Sequence, residues 1–309
     1  MTIDRERQPV AVLGAGLMGA GIAKVFAAKG YPVFLFDRDL DTATSATRQI
    51  NGAIAHVDGG RDVDAAGSLA EAVADAAFVF ESVSEKLDVK RRIFSALAEC
   101  ARHDAVLASN TSAIPITQIA EGLPCEARIV GSHWWNPADV VPLVEVVPGI
   151  ATDAHHVEAM MQLLISVGKK AVRIDRDIPG FVGNRLQFAL WREAQSLVAN
   201  GVCDAETLDE IVKSSFGPRL SVLGPMENAD LIGLDLTLDI MRVILPDIDN
   251  SPEPGRLLTS RVAGQHLGFK TGAGFREWTP ASIQACRKRL ASHLDAYFSA
   301  SGTGTVGHD

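Results

Sequence analysis

Long apolar runs, excess basic charge and clustered cysteines are missing from this 309-residue chain, and each absence excludes a class of protein. No stretch approaches the roughly 20 consecutive apolar residues that a membrane-spanning helix needs. Residues 1–8 are polar and lack the apolar centre of a secretory signal. A soluble cytoplasmic protein with no membrane partner is therefore expected. Net charge is −9, with acids and bases interspersed rather than blocked, so nothing is arranged to neutralise a phosphate backbone. Nucleic acid is not an expected partner. Cys100, Cys125, Cys203 and Cys286 lie far apart, in neither disulfide nor metal-ligand spacing. They are read as reduced and incidental, and no metal is expected.

What is present is apolar sequence cut into short lengths. With 47% hydrophobic residues the chain can fill two cores, so two domains are more natural than one. The first run, Val10-Ala11-Val12-Leu13, leads directly into Gly14-Ala15-Gly16-Leu17-Met18-Gly19 and then a helix-like stretch to Lys29. A second run, Val33-Phe34-Leu35-Phe36, ends in Asp37. Glycines alone often mark turns; strand, glycines, helix, strand and terminal acid in that order mark a dinucleotide site. Gly14 permits the tight turn and Gly16 lets backbone approach a pyrophosphate. Gly19 lets helix and strand close up, with the phosphates at the helix's positive end beside Leu17 and Met18. Asp37 would accept both ribose hydroxyls and repel a 2′-phosphate, favouring NAD over NADP. Arg38 beside it keeps NADP open, but is read as stacking on adenine.

The alternation continues. Residues 40–54 read as a polar helix, 69–75 as another, Ala77-Phe78-Val79-Phe80-Glu81 as a strand, and a helix then turns Val89, Ile93, Phe94 and Leu97 to one face. Ala105-Val106-Leu107-Ala108 is a further strand, ending in Ser109-Asn110-Thr111-Ser112, which is either a ligand-binding end or a helix-capping turn. Together these imply an α/β fold whose N-terminal half is a doubly wound parallel (Rossmann) sheet with ligands at the carboxyl ends of its strands.

The stretch Gly-Ser-His133-Trp134-Trp135-Asn136-Pro137 comes after the run Ile129-Val130, so His133 is expected at a strand end or on a loop facing a cleft. Glu145 sits inside Leu143-Val144-Glu145-Val146-Val147, where an unpaired carboxylate would cost free energy. The economical arrangement pairs Glu145 with the His133 ring. A core histidine satisfied by backbone, or a glutamate on an exposed edge, would also fit these residues. A helix turning Met160, Leu163, Leu164 and Val167 inward and a strand at 171–174 complete this half.

After Pro179-Gly180 the alternation stops. A long helix fits residues 181–200, Asp204 suits the cap of the next, residues 217–225 read as a loop, a helical segment runs to about Leu245, and Thr279-Pro280 opens a last helix. The expected domains are 1–178, a nucleotide-binding unit, and 179–309, an all-helical unit whose broad apolar faces suggest burial against a second copy. Residues 299–309 are small and polar and are expected to fray.

With the glycine turn, Ser109-Asn110-Thr111-Ser112, His133-Trp-Trp-Asn136-Pro137, Leu143-Val144-Glu145-Val146 and Pro179-Gly180-Phe181-Val182-Gly183-Asn184-Arg185 in this order, the chain resembles the L-3-hydroxyacyl-CoA dehydrogenase family from about Val10 to Phe275. The resemblance implies an NAD-dependent oxidoreductase of fatty acid metabolism, dimeric through its helical half, interconverting a 3-hydroxy acid or its CoA thioester with the 3-keto form. It implies that His133 is the general base, Glu145 its orienting partner, and Ser112 and Asn184 the binders of the reacting oxygen. Glu85, Lys90 and Asn110 would contact NAD. Three departures weaken a CoA substrate: the short segment between Asp37 and Leu69, Trp134-Trp135 in place of the more usual pair of phenylalanines, and the stretch from Gly217-Pro218-Arg219 to Met226. That last stretch is similar to the lambda-crystallin and L-gulonate 3-dehydrogenase branch and to relatives acting on small carboxylates, including a formyl-pyridine carboxylate. Trp134 is expected to line the substrate pocket, and Arg219 either pairs with a substrate carboxylate or is a surface or dimer-contact residue. Oxidation of a small carboxylate-bearing alcohol or hydrated aldehyde, and NAD binding without catalysis, are the alternative functions.

Overall fold

The computed structural model describes residues 7–300, so the expected fraying tail lies, from residue 301 onward, outside the described residues. Each short apolar run of the first half becomes a strand. In order these are β1 (Val10–Leu13), α1 (Leu17–Ala28), β2 (Val33–Phe36), α2 (Leu40–Ile54), β3 (Val63–Ala65), α3 (Leu69–Val73), β4 (Phe78–Glu81), α4 (Leu87–Cys100), β5 (Val106–Ser109), α5 (Ile116–Ala120), β6 (Ile129–Trp134), β7 (Leu143–Pro148), α6 (Ala154–Ser166) and β8 (Lys170–Arg173). The eight strands form one sheet ordered β3-β2-β1-β4-β5-β6-β7-β8. All neighbours are parallel except β6 and β7, which run antiparallel.

The alternation of side chains along a strand divides the core in two. Val10, Val12, Phe80, Val130 and Val144 meet α1, α2 and α6 on one face. Ala11, Leu13, Val79, Leu107 and Ile129 meet α3, α4 and α5 on the other. Strands covered on both faces read as unbroken apolar runs, which is why they were legible. β3 was not anticipated, because Val63-Asp64-Ala65 is too short and mixed to register as a strand. It exists by pairing with β2 at the sheet edge.

The rest of the chain is α7 (Gly183–Ala199), α8 (Ala205–Ser214), α9 (Gly217–Leu220), α10 (Pro225–Ile232), α11 (Leu234–Ile244), α12 (Arg256–Ala263) and α13 (Pro280–Ala300). Asp204 caps α8 by accepting from the Thr207 N–H at 2.7 Å. Two expectations change here. The loop at 217–225 contains the single turn of α9, and the segment to Leu245 is two helices, broken at Gly233, whose φ of 101° a helix cannot accommodate. The chain divides into two compact units, one running to Arg185 and including the segment from Ala291, the other Leu186–Leu290. The first turn of α7, with Asn184, thus goes with the sheet. No helix among the described residues is long and apolar enough to cross a membrane.

Among the described residues of the helical unit, no helix from α8 to α12 has a buried residue in the single chain. Leu186, Leu190, Ile211, Phe216 and Leu290, which fall on the apolar faces of their helices, are all exposed. The periodicity marked an apolar face correctly; what it could not supply is a second layer to cover it.

Candidate active site

At the carboxyl ends of β1 and β2 the glycine turn takes the form its residues require. Gly14 has φ of 100°, and a Cβ there would lie 2.6 Å from the Ser82 carbonyl oxygen. A Cβ on Gly19 would fall 1.8 Å from the Gly14 oxygen, so helix and strand close up only over glycine. Gly16 differs: a Cβ would meet nothing within 4 Å. That open space, at the N-terminus of a helix with no side-chain cap and no acid in its first turn, suits an incoming pyrophosphate. Leu17 is exposed and Met18 partly buried on that first turn. Asp37 accepts from Ala15 N–H at 2.9 Å and from Asp39 N–H at 3.2 Å, fixing its carboxylate beside the turn. Arg38 is exposed next to it. The residues present fit a dinucleotide.

Between β4 and β5 a buried charge cluster organises the next turn. Lys90 Nζ donates to both oxygens of Glu81 at 2.9 and 3.0 Å and pairs with Glu85 at 3.2 Å. Glu81 also accepts from Ser109 Oγ at 2.6 Å and Val83 N–H at 2.8 Å. Glu85 in turn accepts from Thr111 Oγ1 at 2.6 Å, Ser112 N–H at 2.8 Å and Ala113 N–H at 3.0 Å. Burial pushes the Glu85 carboxyl up, but the Thr111 hydroxyl, the Lys90 ammonium and the two N–H donors outweigh it and hold the carboxyl below its usual range. Lys90 has no exposed side-chain surface, so it offers no direct contact to a ligand in this arrangement. Its observable effect is to fix Glu85, and through it the turn carrying Ser112.

Of the two places expected for it, His133 takes the strand end, next to last in β6, and the antiparallel register sets it directly opposite Glu145. Such cross-strand pairs share a face. His133 Nδ1 and Glu145 Oε2 are 2.8 Å apart, both side chains almost fully buried. The other Glu145 oxygen accepts from the N–H groups of Val182 and Gly183, each at 3.1 Å, at the start of α7. Burial pushes the Glu145 carboxyl up; the His133 hydrogen bond and the two N–H donors pull it below its ordinary value. It is therefore ionised at neutral pH and can only accept. Nδ1 must carry the hydrogen, which leaves the lone pair on Nε2.

Asn184 Nδ2 donates to the Ser112 carbonyl at 2.8 Å, and Asn110 accepts from Trp134 N–H at 2.9 Å while donating to Ser82 Oγ at 3.1 Å. Asp177 accepts from Ile116 N–H at 3.0 Å and Thr117 N–H at 2.7 Å. The turns after β4 and β5, the end of β6 and the start of α7 thus form one connected frame around Ser112, His133, Glu145 and Asn184.

Trp134 is corrected by the structure. His133 and Trp134 are consecutive strand residues and point to opposite faces. Trp134 is buried against Phe26 and Phe80, with ring centroids 6.1 Å away in each case, and its indole donates to Ser132 Oγ at 2.9 Å. Trp135 is the tryptophan beside the histidine, at 5.2 Å between centroids. It lies over Gly183, where a Cβ would come within 2.3 Å of its ring.

Other structural residues went unnoticed. Glu81, ending an apolar strand, carried the same signal as Glu145. Phe181, buried in the core with φ of 51° and 5.6 Å from the His133 ring, had none. Lys169 is 4% exposed. Its ammonium donates to the carbonyls of Ala138 at 2.6 Å and Val141 at 2.9 Å and lies 5.3 Å from the Trp134 ring centre. Burial pushes its pKa down to about 8, against the pull of Asp139. Asp139 also pairs with Lys24 of α1 at 2.8 Å, so the segment after Trp135 is tied both to the sheet and to the cofactor helix.

The family model of the 3-hydroxyacyl-CoA dehydrogenase NAD-binding domain matches residues 9–178, and that of the 3-hydroxyacyl-CoA dehydrogenase C-terminal domain matches residues 180–278. The chain belongs to the 3-hydroxyacyl-CoA dehydrogenase family. It is an oxidoreductase and its cofactor is NAD. Among relatives, 5-formyl-3-hydroxy-2-methylpyridine 4-carboxylate 5-dehydrogenase of Mesorhizobium japonicum is 31% identical over 93% of this chain and 96% of its own length. A crystal structure of a 5-dehydrogenase of that pyridine carboxylic acid, described as an NAD+-dependent dismutase, superposes with a TM-score of 0.87 at 30% identity, covering 93% of this chain and 96% of the other. (S)-3-hydroxybutyryl-CoA dehydrogenase from Ralstonia eutropha gives 0.72 at 28% identity, covering 89% of this chain and all of the other, at 100%. Within the 3-hydroxyacyl-CoA dehydrogenase frame, α2 is one helix followed directly by a turn and β3, and Arg219 is exposed on α9 of the helical unit.

Proposed function

We propose that this family member oxidises a small, free carboxylate-bearing alcohol or hydrated aldehyde, with His133 as general base, rather than a CoA thioester. The pairing of His133 with an ionised, N–H-anchored Glu145 carries the chemical half of this reading. NAD, when bound at the glycine turn, supplies the hydride acceptor. Nε2 of His133 takes the hydroxyl proton as the carbon–hydrogen bond breaks, and the Glu145 carboxylate stabilises the imidazolium that results. The Ser112 hydroxyl and the second hydrogen of Asn184 Nδ2 hold the oxygen as it becomes a carbonyl. A gem-diol presents the same C–H and O–H, so a hydrated aldehyde leaves as an acid with no further residue required.

The substrate half rests on likeness and on the length of one segment. The coverage of nearly the whole of both chains and the TM-score of 0.87, against 0.72 for the (S)-3-hydroxybutyryl-CoA dehydrogenase, support a small acid. So does the single helix between β2 and β3, which leaves little platform for a large thioester. Arg219 is proposed to pair with the substrate carboxylate, for which its fork of donors is suited. The uncovered apolar residues of α10 and α11, among them Leu234, Leu236, Leu238, Ile240 and Ile244, support a homodimer formed through the helical unit.

The test is a panel that sets free hydroxy acids and aromatic aldehyde acids beside 3-hydroxybutyryl-CoA, with NADH formation as readout. The expected outcome is turnover of free acids; a strong preference for the thioester overturns the substrate assignment and leaves the chemistry standing. Arg219→Ala should raise KM for the best acid about tenfold, and an unchanged KM removes Arg219 from the site.

A further inference from the structure

At the opposite, amino ends of the strands, where β4 and β5 begin, lies a second group of chemically capable side chains that the reaction does not use. A cavity of about 410 Å³ opens there between Phe78, Val106 and the first turn of α6, and His103, Asp104, His155 and His156 line it. Since cofactor and catalytic groups sit at the strands' carboxyl ends, this cavity is separate from them.

Three residues converge. Asp153, His155 and His156 each offer a ligand atom, and these atoms all lie within 4.8 Å of one another. Consecutive helical residues ordinarily diverge, yet the two imidazole centroids are 3.8 Å apart. Asp153 is the N-cap of α6, but its carboxylate makes no capping bond, so the helix does not consume it. His156 is 6% exposed, and no protein group among the described residues hydrogen-bonds to its ring. The ring lines the cavity, and its nitrogens are not committed to another protein group there.

We propose that Asp153, His155 and His156 form a binding site for a divalent transition cation of the zinc, cobalt or nickel class, with His103 or water completing the shell. The local charges select the kind of ion. Asp153 and Asp104 attract a cation, although Asp104 is already engaged by Arg102 at 2.6 and 2.9 Å. Arg128, whose charge acts on His156, and the positive end of α6 oppose it. A hard ion held mainly by charge, such as magnesium or calcium, gains little in such a place and prefers oxygen ligands. A cation that bonds strongly to imidazole nitrogen gains from two of them at once. The cysteine spacing that argued against a metal does not bear on this site.

The experiment uses the full chain after chelator treatment, titrated with Co2+ and followed by its visible d–d absorption, and with Zn2+ followed by calorimetry and by the midpoint of thermal unfolding. The expected result is one equivalent bound and an unfolding midpoint raised by Zn2+ but not by Mg2+ or Ca2+, because an ion that binds only the folded state stabilises it. His155→Ala, at an exposed position that should not disturb folding, should weaken binding at least tenfold and abolish the Zn2+-dependent rise in midpoint. His156→Gln should do the same. Turnover without added metal should be unchanged in His155→Ala. No saturable binding to the unmodified chain, or binding that persists at one equivalent in His155→Ala, overturns the proposal.

Discussion

The sheet unit encloses Phe26, Phe80 and Phe94 completely, whereas the helical unit leaves Phe188, Trp191 and Phe216 facing solvent in the single chain. Burying a large apolar side chain stabilises by about 1.5–3 kcal/mol, while ordering each residue's backbone costs about 1–2 kcal/mol. The sheet unit meets that cost from two cores of its own. The helical unit has amphipathic helices α8 to α12 with no buried residue among its described residues in the single chain, so their apolar faces stay uncovered there. The proposed chemistry follows the same division. Ser112, His133, Glu145 and Asn184 are all held by the sheet unit and the first turn of α7, where N–H donors and strand register leave little freedom. The helical unit carries Arg219 and the uncovered apolar face, which are proposed to select substrate and partner.

The sharpest test of this division is His133→Gln. It should lower kcat/KM by about 10³–10⁴-fold, the scale of losing a general base, with NAD affinity and oligomer size unchanged. An unchanged kcat/KM would remove His133 from the proposed role of general base.

Lys169→Met probes how firmly the sheet unit holds its catalytic edge. With a folded pKa of about 8 against an unfolded value of 10.5, both states are protonated below pH 8 and burial of the charge is a constant cost. Between pH 8 and 10.5 the unfolded chain binds more protons, so wild-type stability rises with pH, by about 3 kcal/mol in total. Urea unfolding across that window should show the rise in wild type and its absence in the methionine variant. A wild-type-minus-variant difference that stays flat contradicts the assignment.

Leu238→Arg places a charge in the centre of the uncovered face of α11. Sedimentation should show the dimer dissociation constant raised about 100-fold, with hydrogen exchange in β1, β4 and β5 unchanged. Association that survives the substitution locates the covering surface elsewhere.

The smallest effect is expected of Gly183→Ala. The added methyl displaces Trp135 and loosens the N–H donor to Glu145. A fall in kcat of about tenfold, with KM for NAD unaltered, fits a modest overpacking cost.

The strands were legible because β1, β2, β4 and β5 are covered on both faces and are uniformly apolar. The glycine turn was legible because each glycine answers a separate steric demand, now visible as contacts of 2.6 and 1.8 Å or as open space. Glu145 betrayed itself as a carboxylate in an apolar run. Trp134 misled because two adjacent tryptophans look alike until a strand sends them to opposite faces. Lys169 gave no signal, since its acceptors are backbone carbonyls about 30 residues away.

By itself the sequence determined which buried segments are strands, β3 excepted, where the dinucleotide turn lies and which side chains are candidates to exchange a proton, because these depend on local sterics and on the cost of an unpaired buried charge. Only the tertiary structure decided that β7 runs antiparallel to β6, putting Glu145 across from His133, and that the start of α7 supplies the N–H groups that keep the carboxylate ionised. Strand pairing and helix docking join residues distant along the chain, and their register is chosen by the whole core rather than by any short stretch of it.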